Sequence, residues 1–231
     1  MTDARRARLY ATVCALAIVV FAVLSAAVLF WGGADRLDVR FVNRVHTTVP
    51  DQLVDVMKVL TYAGSVVALG PIAIVAGAAL VWRGRPGVAL FVVAAFAGSQ
   101  LLGPGLKALF RRVRPELEDP FAQLATYSFP SGHAFGAAAT YGALALVLAS
   151  AAERTSRQVV VMLVAAALIA LVAASRVILG VHYMFDVAGG VVATVAWVSA
   201  LLFVLQRAHR RGLRLALFPR HEQPQSAGLD P

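Results

Sequence analysis

The sequence contains little charge and almost no cysteine. Only 14% of its 231 residues are charged, whereas 60% are hydrophobic and the mean hydropathy is +0.76. This composition excludes a soluble domain, because several apolar runs reach the roughly 20 residues that a helix needs to cross a bilayer. The single cysteine, Cys14, lies within the first apolar run, so an internal disulfide is excluded as well.

Acidic residues are also scarce, with 12 Asp and Glu against 21 Lys and Arg and a net charge of +9. A basic chain can bind nucleic acid, but here the basic residues lie at the ends of the apolar runs rather than on an amphipathic face with interleaved aromatic residues. We therefore predict no nucleic-acid partner. The lipid bilayer and an anionic substrate explain the charge better.

The apolar runs predict an all-α, polytopic membrane protein with a bundle of six transmembrane helices in a single domain over residues 1–231. The first run is too long for a signal-peptide core, so we interpret it as an uncleaved span. Gly70-Pro71 is expected to kink the second span. The predicted spans are about 9–31, 53–82, 88–110, 131–151, 159–178 and 184–207, followed by a basic tail over 208–231.

The segment between the first two spans predicts a short helix lying in the membrane interface. Within residues 35–48, an apolar stripe of Leu37, Phe41 and Val45 opposes a basic stripe of Arg36, Arg40 and Arg44. An ordinary polar loop is the alternative interpretation.

Basic residues also predict the orientation of the bundle. The N-terminus, the turns at 83–85 and 153–157 and the C-terminal tail together with Arg207 share one side and carry twelve of the twenty-one Lys and Arg residues. That side is expected to be cytoplasmic, which places both termini inside and the loop 115–130 outside. The acidic residues of that loop, Glu116, Glu118 and Asp119, are interpreted as a solvated stretch.

Polar residues inside an apolar chain are costly and therefore point to function. In the stretch 175–186, His182 and Asp186 are four residues apart, so on a helix the carboxylate can hold one ring nitrogen and leave the other free. Arg176 would point away from His182 on a continuous helix, and Gly180 offers a break that brings them together.

Two further clusters precede this stretch. Lys107, Arg111 and Arg114 are spaced to form one helical stripe that Pro115 ends, with Gly103-Pro104-Gly105 as either a functional bend or a packing kink. Pro130-Ser131-Gly132-His133 then opens a new apolar helix with Ser131 as its N-cap, and the backbone N–H groups of such a helix start favour an anion.

Together the motifs Lys-x6-Arg-Pro, Pro-Ser-Gly-His and Ser-Arg-x5-His-x3-Asp resemble those of the type 2 phosphatidic acid phosphatase superfamily, integral-membrane lipid phosphatases that share a site with vanadium haloperoxidases. The resemblance runs from about Leu37 to Trp197. It implies that His182 attacks phosphorus to form a phosphohistidine, that Asp186 orients His182, and that His133 protonates the leaving alkoxide. The groups expected to hold the phosphate oxygens are Lys107, Arg114, Ser131, Gly132 and Arg176, with Ser175 as a supporting donor.

The sequence predicts a membrane lipid phosphate at the outer face as the substrate. Undecaprenyl pyrophosphate is favoured, and phosphatidylglycerophosphate and phosphatidic acid are the alternatives. No metal or other cofactor is expected, because the site combines cations and imidazoles with one carboxylate, Asp186. A lipid transporter or flippase and a non-catalytic lipid-binding protein are the alternatives from other classes. The roles of Arg111 and Arg112 and the oligomeric state are left open, and His46, His209 and His221 are interpreted as interfacial anchors.

Overall fold

The computed structural model describes residues 3–117 and 126–210, and the regular structure in these ranges is helical. Eight α-helices follow one another along the described chain, and a short 3-10 turn, Thr61–Gly64, separates the third from the fourth. Their bounds are α1 Asp3–Phe30, α2 Gly32–Thr48, α3 Asp51–Leu60, α4 Val66–Trp82, α5 Pro86–Phe110, α6 Gly132–Ala151, α7 Thr155–Ile178 and α8 Met184–Arg210.

The helices confirm a polytopic membrane protein of the all-α class. Helices α1, α5, α6, α7 and α8 are long and apolar enough to cross a membrane, and there are six spans if α3 and α4, bent by 42° at their break, are counted as one. Aliphatic side chains on the outside of the bundle, such as Leu16, Val23 and Leu163, are exposed in the isolated chain. In a bilayer these side chains would contact lipid.

The second predicted span contains a break in its helix before Gly70-Pro71. Helix α4 continues through Pro71, and the break lies instead at Thr61–Ser65. Ser65 starts α4, since its hydroxyl oxygen accepts a hydrogen bond from Ala68 N–H at 3.3 Å. The hydroxyl of Tyr141 donates to the carbonyl of Ala63 at 2.7 Å and so ties the turn to α6. The sequence did not predict this break, because capping and tertiary hydrogen bonds decide where the helix stops.

Helix α6 lies at the centre of the bundle, in contact with α4, α5, α7 and α8, while α1 packs along α8. Its run of alanines, including Ala134, Ala137 and Ala139, is fully buried and lets neighbouring helices approach closely. Helix α8 approaches the start of α6 very closely at Gly190, where an added Cβ would lie 2.7 Å from the carbonyl oxygen of Ser131. This contact fixes the start of α6 against the start of α8.

The segment after the first span is helical rather than a polar loop, as α2. The predicted apolar stripe is not the face that packs, however, because Leu37 and Phe41 are exposed. Instead, Asp38 and Val42 are buried against the bundle. The reason is that Asp38 has charged and backbone partners inside the protein, which leaves the apolar stripe free to face lipid.

Candidate active site

The residues of the three motifs come together at one end of the bundle. The C-terminal ends of α5 and α7 and the N-terminal ends of α6 and α8 meet there, together with the connections that join them. Lys107 comes from α5, Arg114 from the following connection, His133 from α6, Arg176 from α7 and Asp186 from α8. Motifs that are far apart along the chain thus form one cluster.

His182 is held between an acceptor and a donor. Its Nδ1 lies 3.3 Å from Asp186 Oδ2, and its Nε2 lies 3.3 Å from Nη1 of Arg114. Because a guanidinium can only donate, Nε2 accepts, and the ring proton belongs on Nδ1 facing the carboxylate. His182 and Asp186 are 2% and 0% exposed. The lone pair on Nε2 of this buried imidazole is therefore directed toward the guanidinium of Arg114, a type of side chain that often binds phosphate.

The electrostatic environment keeps this imidazole neutral. Burial, which outweighs the opposite effect of Asp186, acts together with the charges of Lys107 and Arg114 to lower the pKa of His182 to about 3. A neutral imidazole retains the Nε2 lone pair that a nucleophile requires.

The predicted break at Gly180 is present. Helix α7 ends at Ile178, and Gly180 adopts a left-handed conformation with φ +66°, which glycine tolerates at no steric cost. The backbone N–H groups of Val181 and His182 then both donate to the carbonyl of Arg176 at 3.2 Å. The turn brings His182 back over the end of the helix that carries Arg176.

Two of the predicted phosphate ligands are bound to backbone carbonyls. Lys107 Nζ donates to the carbonyl of Tyr127 at 2.6 Å, and Arg114 donates to those of Thr126 at 2.7 Å and Val181 at 2.6 Å. Carbonyl oxygens of the segment 126–128 thus accept hydrogen bonds that phosphate oxygens can also accept. Binding of phosphate requires exchange of these partners.

Two other predicted ligands carry buried polar atoms without a partner. Arg176 donates from Nη1 to the Thr61 hydroxyl at 2.6 Å, but within residues 3–117 and 126–210 neither its Nε nor Ser131 Oγ makes a hydrogen bond. A buried donor left unpaired is costly, so both atoms point to a bound ligand. Ser131 occupies the predicted N-cap position of α6, although its hydroxyl makes no capping hydrogen bond.

The remaining motif residues are placed around this cluster. His133 is half-buried on the first turn of α6, where the charges of Arg176, Lys107 and Arg114 act on it. A Cβ added to Gly132 would lie 3.9 Å from Cε of Lys107, so this glycine is beside the lysine side chain. The Ser175 hydroxyl donates to the carbonyl of Val172 in its own helix at 2.6 Å.

The predicted stripe of Lys107, Arg111 and Arg114 is wrong. Helix α5 ends at Phe110, and Arg111 is left-handed with φ 50°, so Arg114 leaves the helix axis. A left-handed residue other than glycine costs roughly 1–2 kcal/mol. The buried ion pairs of Arg112 and the hydrogen bonds of Arg114 offset that cost.

Sequence reasoning missed a charged cluster that contacts Asp186 on the side away from His182. Arg112 is buried and donates to Asp186, to Asp38 at 2.9 Å and to Asp35 at 3.1 Å, and its guanidinium carbon lies 4.3 Å from the centroid of the Tyr183 ring. The available signal was that Asp35 and Asp38 are carboxylates in an otherwise basic segment.

The acidic residues of the loop 115–130 and the histidines outside the motifs were also singled out in the sequence. Glu116 and His46 are exposed, whereas Glu118, Asp119 and His221 lie outside the described residues. No group of three or more His, Cys, Asp or Glu side chains is arranged to hold a metal ion in the part of the chain that the structure describes.

Comparisons with known proteins find relatives of this chain. The model of the PAP2 superfamily matches residues 88–211. Phosphatidylglycerophosphatase B of Bacillus subtilis (strain 168) is 34% identical over 137 residues, which cover 59% of this chain and 67% of that relative.

Solved structures with the same fold include the crystal structure of the first transmembrane PAP2 type phosphatidylglycerolphosphate phosphatase from Bacillus subtilis. It has a TM-score of 0.74 and 28% sequence identity, and the match covers 87% of this chain and 97% of that chain. LpxE of Aquifex aeolicus, with a TM-score of 0.53, 22% identity and coverage of 74% and 94% of the two chains, shares the fold.

Proposed function

Because the chain belongs to the PAP2 superfamily and is a membrane lipid phosphatase, we propose that it hydrolyses phosphatidylglycerophosphate to phosphatidylglycerol and inorganic phosphate. The observation that carries the catalytic part is the position of His182 between Asp186 and Arg114. An imidazole with its proton held by a carboxylate and its lone pair beside a guanidinium is arranged to attack a phosphate that the guanidinium binds.

The reaction proceeds in two steps. Nε2 of His182 attacks phosphorus, and the bond from phosphorus to the lipid oxygen breaks as His133 gives that oxygen a proton. Water then attacks the phosphohistidine, His133 takes a proton from the water, and the bond from phosphorus to nitrogen breaks to release phosphate. The first step needs no metal ion, because the cations of the chain neutralise the phosphate oxygens.

Five groups hold those oxygens in this proposal. Arg176 Nε and Ser131 Oγ gain the acceptor that they lack within the described residues, and Lys107 and Arg114 exchange their backbone carbonyl partners for phosphate. The Gly132 N–H, at the first position of α6, has no acceptor within its own helix and adds a further donor. Charge-assisted hydrogen bonds of this kind are about twice as strong as neutral ones.

Similarity supports phosphatidylglycerophosphate over undecaprenyl pyrophosphate, which was the first choice from the sequence. The Bacillus subtilis relative and the Bacillus subtilis crystal structure are both named for phosphatidylglycerophosphate. The motif residues bind phosphate rather than the lipid tail, so undecaprenyl pyrophosphate and phosphatidic acid remain the comparison substrates.

A panel of lipids tests the proposal. Purified protein in detergent is assayed for phosphate release from phosphatidylglycerophosphate, undecaprenyl pyrophosphate and phosphatidic acid, with a chelator present and His182→Ala as the blank. We expect the highest kcat/KM for phosphatidylglycerophosphate. A higher kcat/KM for the polyprenyl diphosphate would reverse the substrate assignment, and lipid translocation without phosphate release would favour a flippase.

A further inference from the structure

Arg112 lies behind the catalytic pair and contacts carboxylates. Its Nη1 donates to Asp186 Oδ1 at 2.7 Å, while its Nη2 donates to Asp38 Oδ2 at 2.9 Å and to Asp35 Oδ1 at 3.1 Å. The side chains of Arg112, Asp38 and Asp186 are 7%, 1% and 0% exposed. The central pairs are thus removed from water and held in one geometry.

These contacts leave Asp186 no freedom to rotate. Its Oδ2 accepts from the backbone N–H of Tyr183 at 2.9 Å and faces His182 Nδ1, while Oδ1 is occupied by Arg112. The plane of the carboxylate, and therefore the orientation of the imidazole, depends on the guanidinium as well as on α8. A carboxylate bound on one oxygen alone would have more orientations available.

Arg112 is itself held by side chains of helix α2. Asp38 of α2 pairs with Nη2, and its other oxygen accepts from the backbone N–H of Phe185 at 3.3 Å, next to Asp186. The guanidinium also lies over the ring of Tyr183. Helix α2, which contributes no residue to the three motifs, thereby contacts the start of α8 directly and through Arg112.

We propose that Arg112 is a positioning residue that fixes the orientation and tautomer of His182 through Asp186, and that Asp38 of α2 positions Arg112 in turn. The kinetic part of this inference rests on the proposed function. A direct contact between Arg112 and phosphate is the competing interpretation, since its Nε has no partner within the described residues.

The variant Arg112→Lys distinguishes a positioning role of Arg112 from direct contact with phosphate. Arg112→Lys keeps the charge but loses the planar fork, so it cannot bind Asp186 and Asp38 together. We expect kcat with dioctanoyl phosphatidylglycerophosphate to fall by about tenfold or more, as for losses of residues that orient a ligand in other sites, while the Ki for inorganic phosphate, which needs the phosphate ligands but no bond to His182, stays within about twofold. Asp38→Asn should give the same split. A Ki that rises in parallel with the fall in kcat/KM would make Arg112 a phosphate ligand and overturn the proposal.

Arg111→Gln is the matched control, because Arg111 is the adjacent arginine, is exposed, and donates to the carbonyl of Ala108 in its own helix. It should keep wild-type kcat and Ki. Because loss of a buried ion pair can unfold a protein, each variant is first compared with wild type by gel filtration and thermal unfolding. If Arg112→Lys fails to fold, Asp38→Asn, which retains Arg112, decides the matter.

The tautomer of His182 provides a measurement that needs no substrate. With 15N-labelled histidine, wild type and Arg111→Gln should show a His182 resonance protonated on Nδ1 alone, whereas Arg112→Lys and Asp38→Asn should show a mixture of tautomers. An unchanged tautomer together with wild-type kcat would overturn the proposal. Absence of phosphate release from wild type would instead count against the proposed function, and the tautomer would still decide the role of Arg112.

Discussion

At the residue scale, the proposed chemistry depends on the single imidazole of His182. Arg114 and Asp186 lie on opposite sides of His182, and one can only donate while the other accepts. The nitrogen that faces Arg114, a proposed phosphate ligand, is therefore the one with the lone pair. Neutrality of the ring follows from its burial, and the positive charges of Lys107 and Arg114 disfavour a further positive charge beside them.

The pH dependence of His182 protonation follows from the direction of its pKa shift. Because burial lowers its pKa to about 3, the ring should stay unprotonated on Nε2 as the pH falls from 8 to 5, and protonation should begin only at more acidic pH. The measurement is a pH titration of 15N-labelled histidine in the substrate-free protein, with the resonance assigned through His182→Ala. A midpoint near the ordinary value of about 6.5 would contradict the electrostatic account.

The two histidines should have separable roles. His182→Ala removes the nucleophile, so phosphoenzyme should be undetectable for every substrate. His133→Ala should lose about 100-fold or more in kcat with a lipid alkoxide as leaving group, but much less with an aryl phosphate, because a good leaving group needs little protonation. Acid-quenched phosphoenzyme and phosphate release are measured in parallel. An identical response of both variants across leaving groups would refute the assignment.

Orthovanadate should inhibit competitively, because its trigonal-bipyramidal form resembles the transition state for attack by His182. Arg176→Lys should weaken vanadate and reduce kcat/KM together, by about 100-fold, since lysine lacks the bidentate fork. Arg157→Lys, exposed on the first turn of α7 away from the site, is the control. Equal affinity for vanadate and phosphate would speak against a catalytic site.

At the element scale, the site depends on how closely α8 and α6 approach. Gly190 faces the backbone of the Pro-Ser-Gly-His turn, where an added Cβ would lie 2.7 Å from Ser131 O and 3.1 Å from Phe135 N. Backbone atoms cannot move aside as a flexible side chain can, so the two helices would have to separate. This contact places Ser131 and His133 opposite Asp186, whose carbonyl accepts from Ser131 N–H at 2.9 Å.

Gly190→Ala should therefore destabilise the protein by about 1–3 kcal/mol, as overpacking does elsewhere, and should lower kcat by displacing the start of α6. Gly142→Ala is the control in the interior of α6, because nothing lies within 4 Å of its added Cβ and alanine favours a helix. Thermal unfolding and phosphate release distinguish the two variants. Wild-type behaviour of Gly190→Ala would show that the contact can relax.

On the scale of the whole molecule, the site end of the bundle is expected to face outward. The turn at 83–85 and the turn at 152–154 join helices at the end opposite the site, and the basic residues near those turns favour the cytoplasm. Reporter fusions after Arg83 and after Glu116 should therefore report opposite sides of the membrane, with Arg83 cytoplasmic. Two fusions on the same side would contradict both the six-span arrangement and the proposed orientation.

Much of this protein is determined by short stretches of its sequence. Apolar runs predict helices and a membrane location because the need to satisfy backbone groups in lipid acts on each segment separately. His182, Asp186 and Gly180 lie within seven residues, so their relation follows from helix geometry and from the freedom of one glycine. The order of the three motifs likewise identified the family without any contact being known.

Tertiary structure alone decided the features that join distant segments. Arg112 pairs with residues 74 and 77 positions away, and no local pattern distinguishes it from the exposed Arg111 beside it. The same ion pairs offset the left-handed turn that ends α5 at Phe110, and Asp38 decides which face of α2 packs. The physical reason is that a buried charge requires a partner, and which partner is within reach depends on how the helices pack.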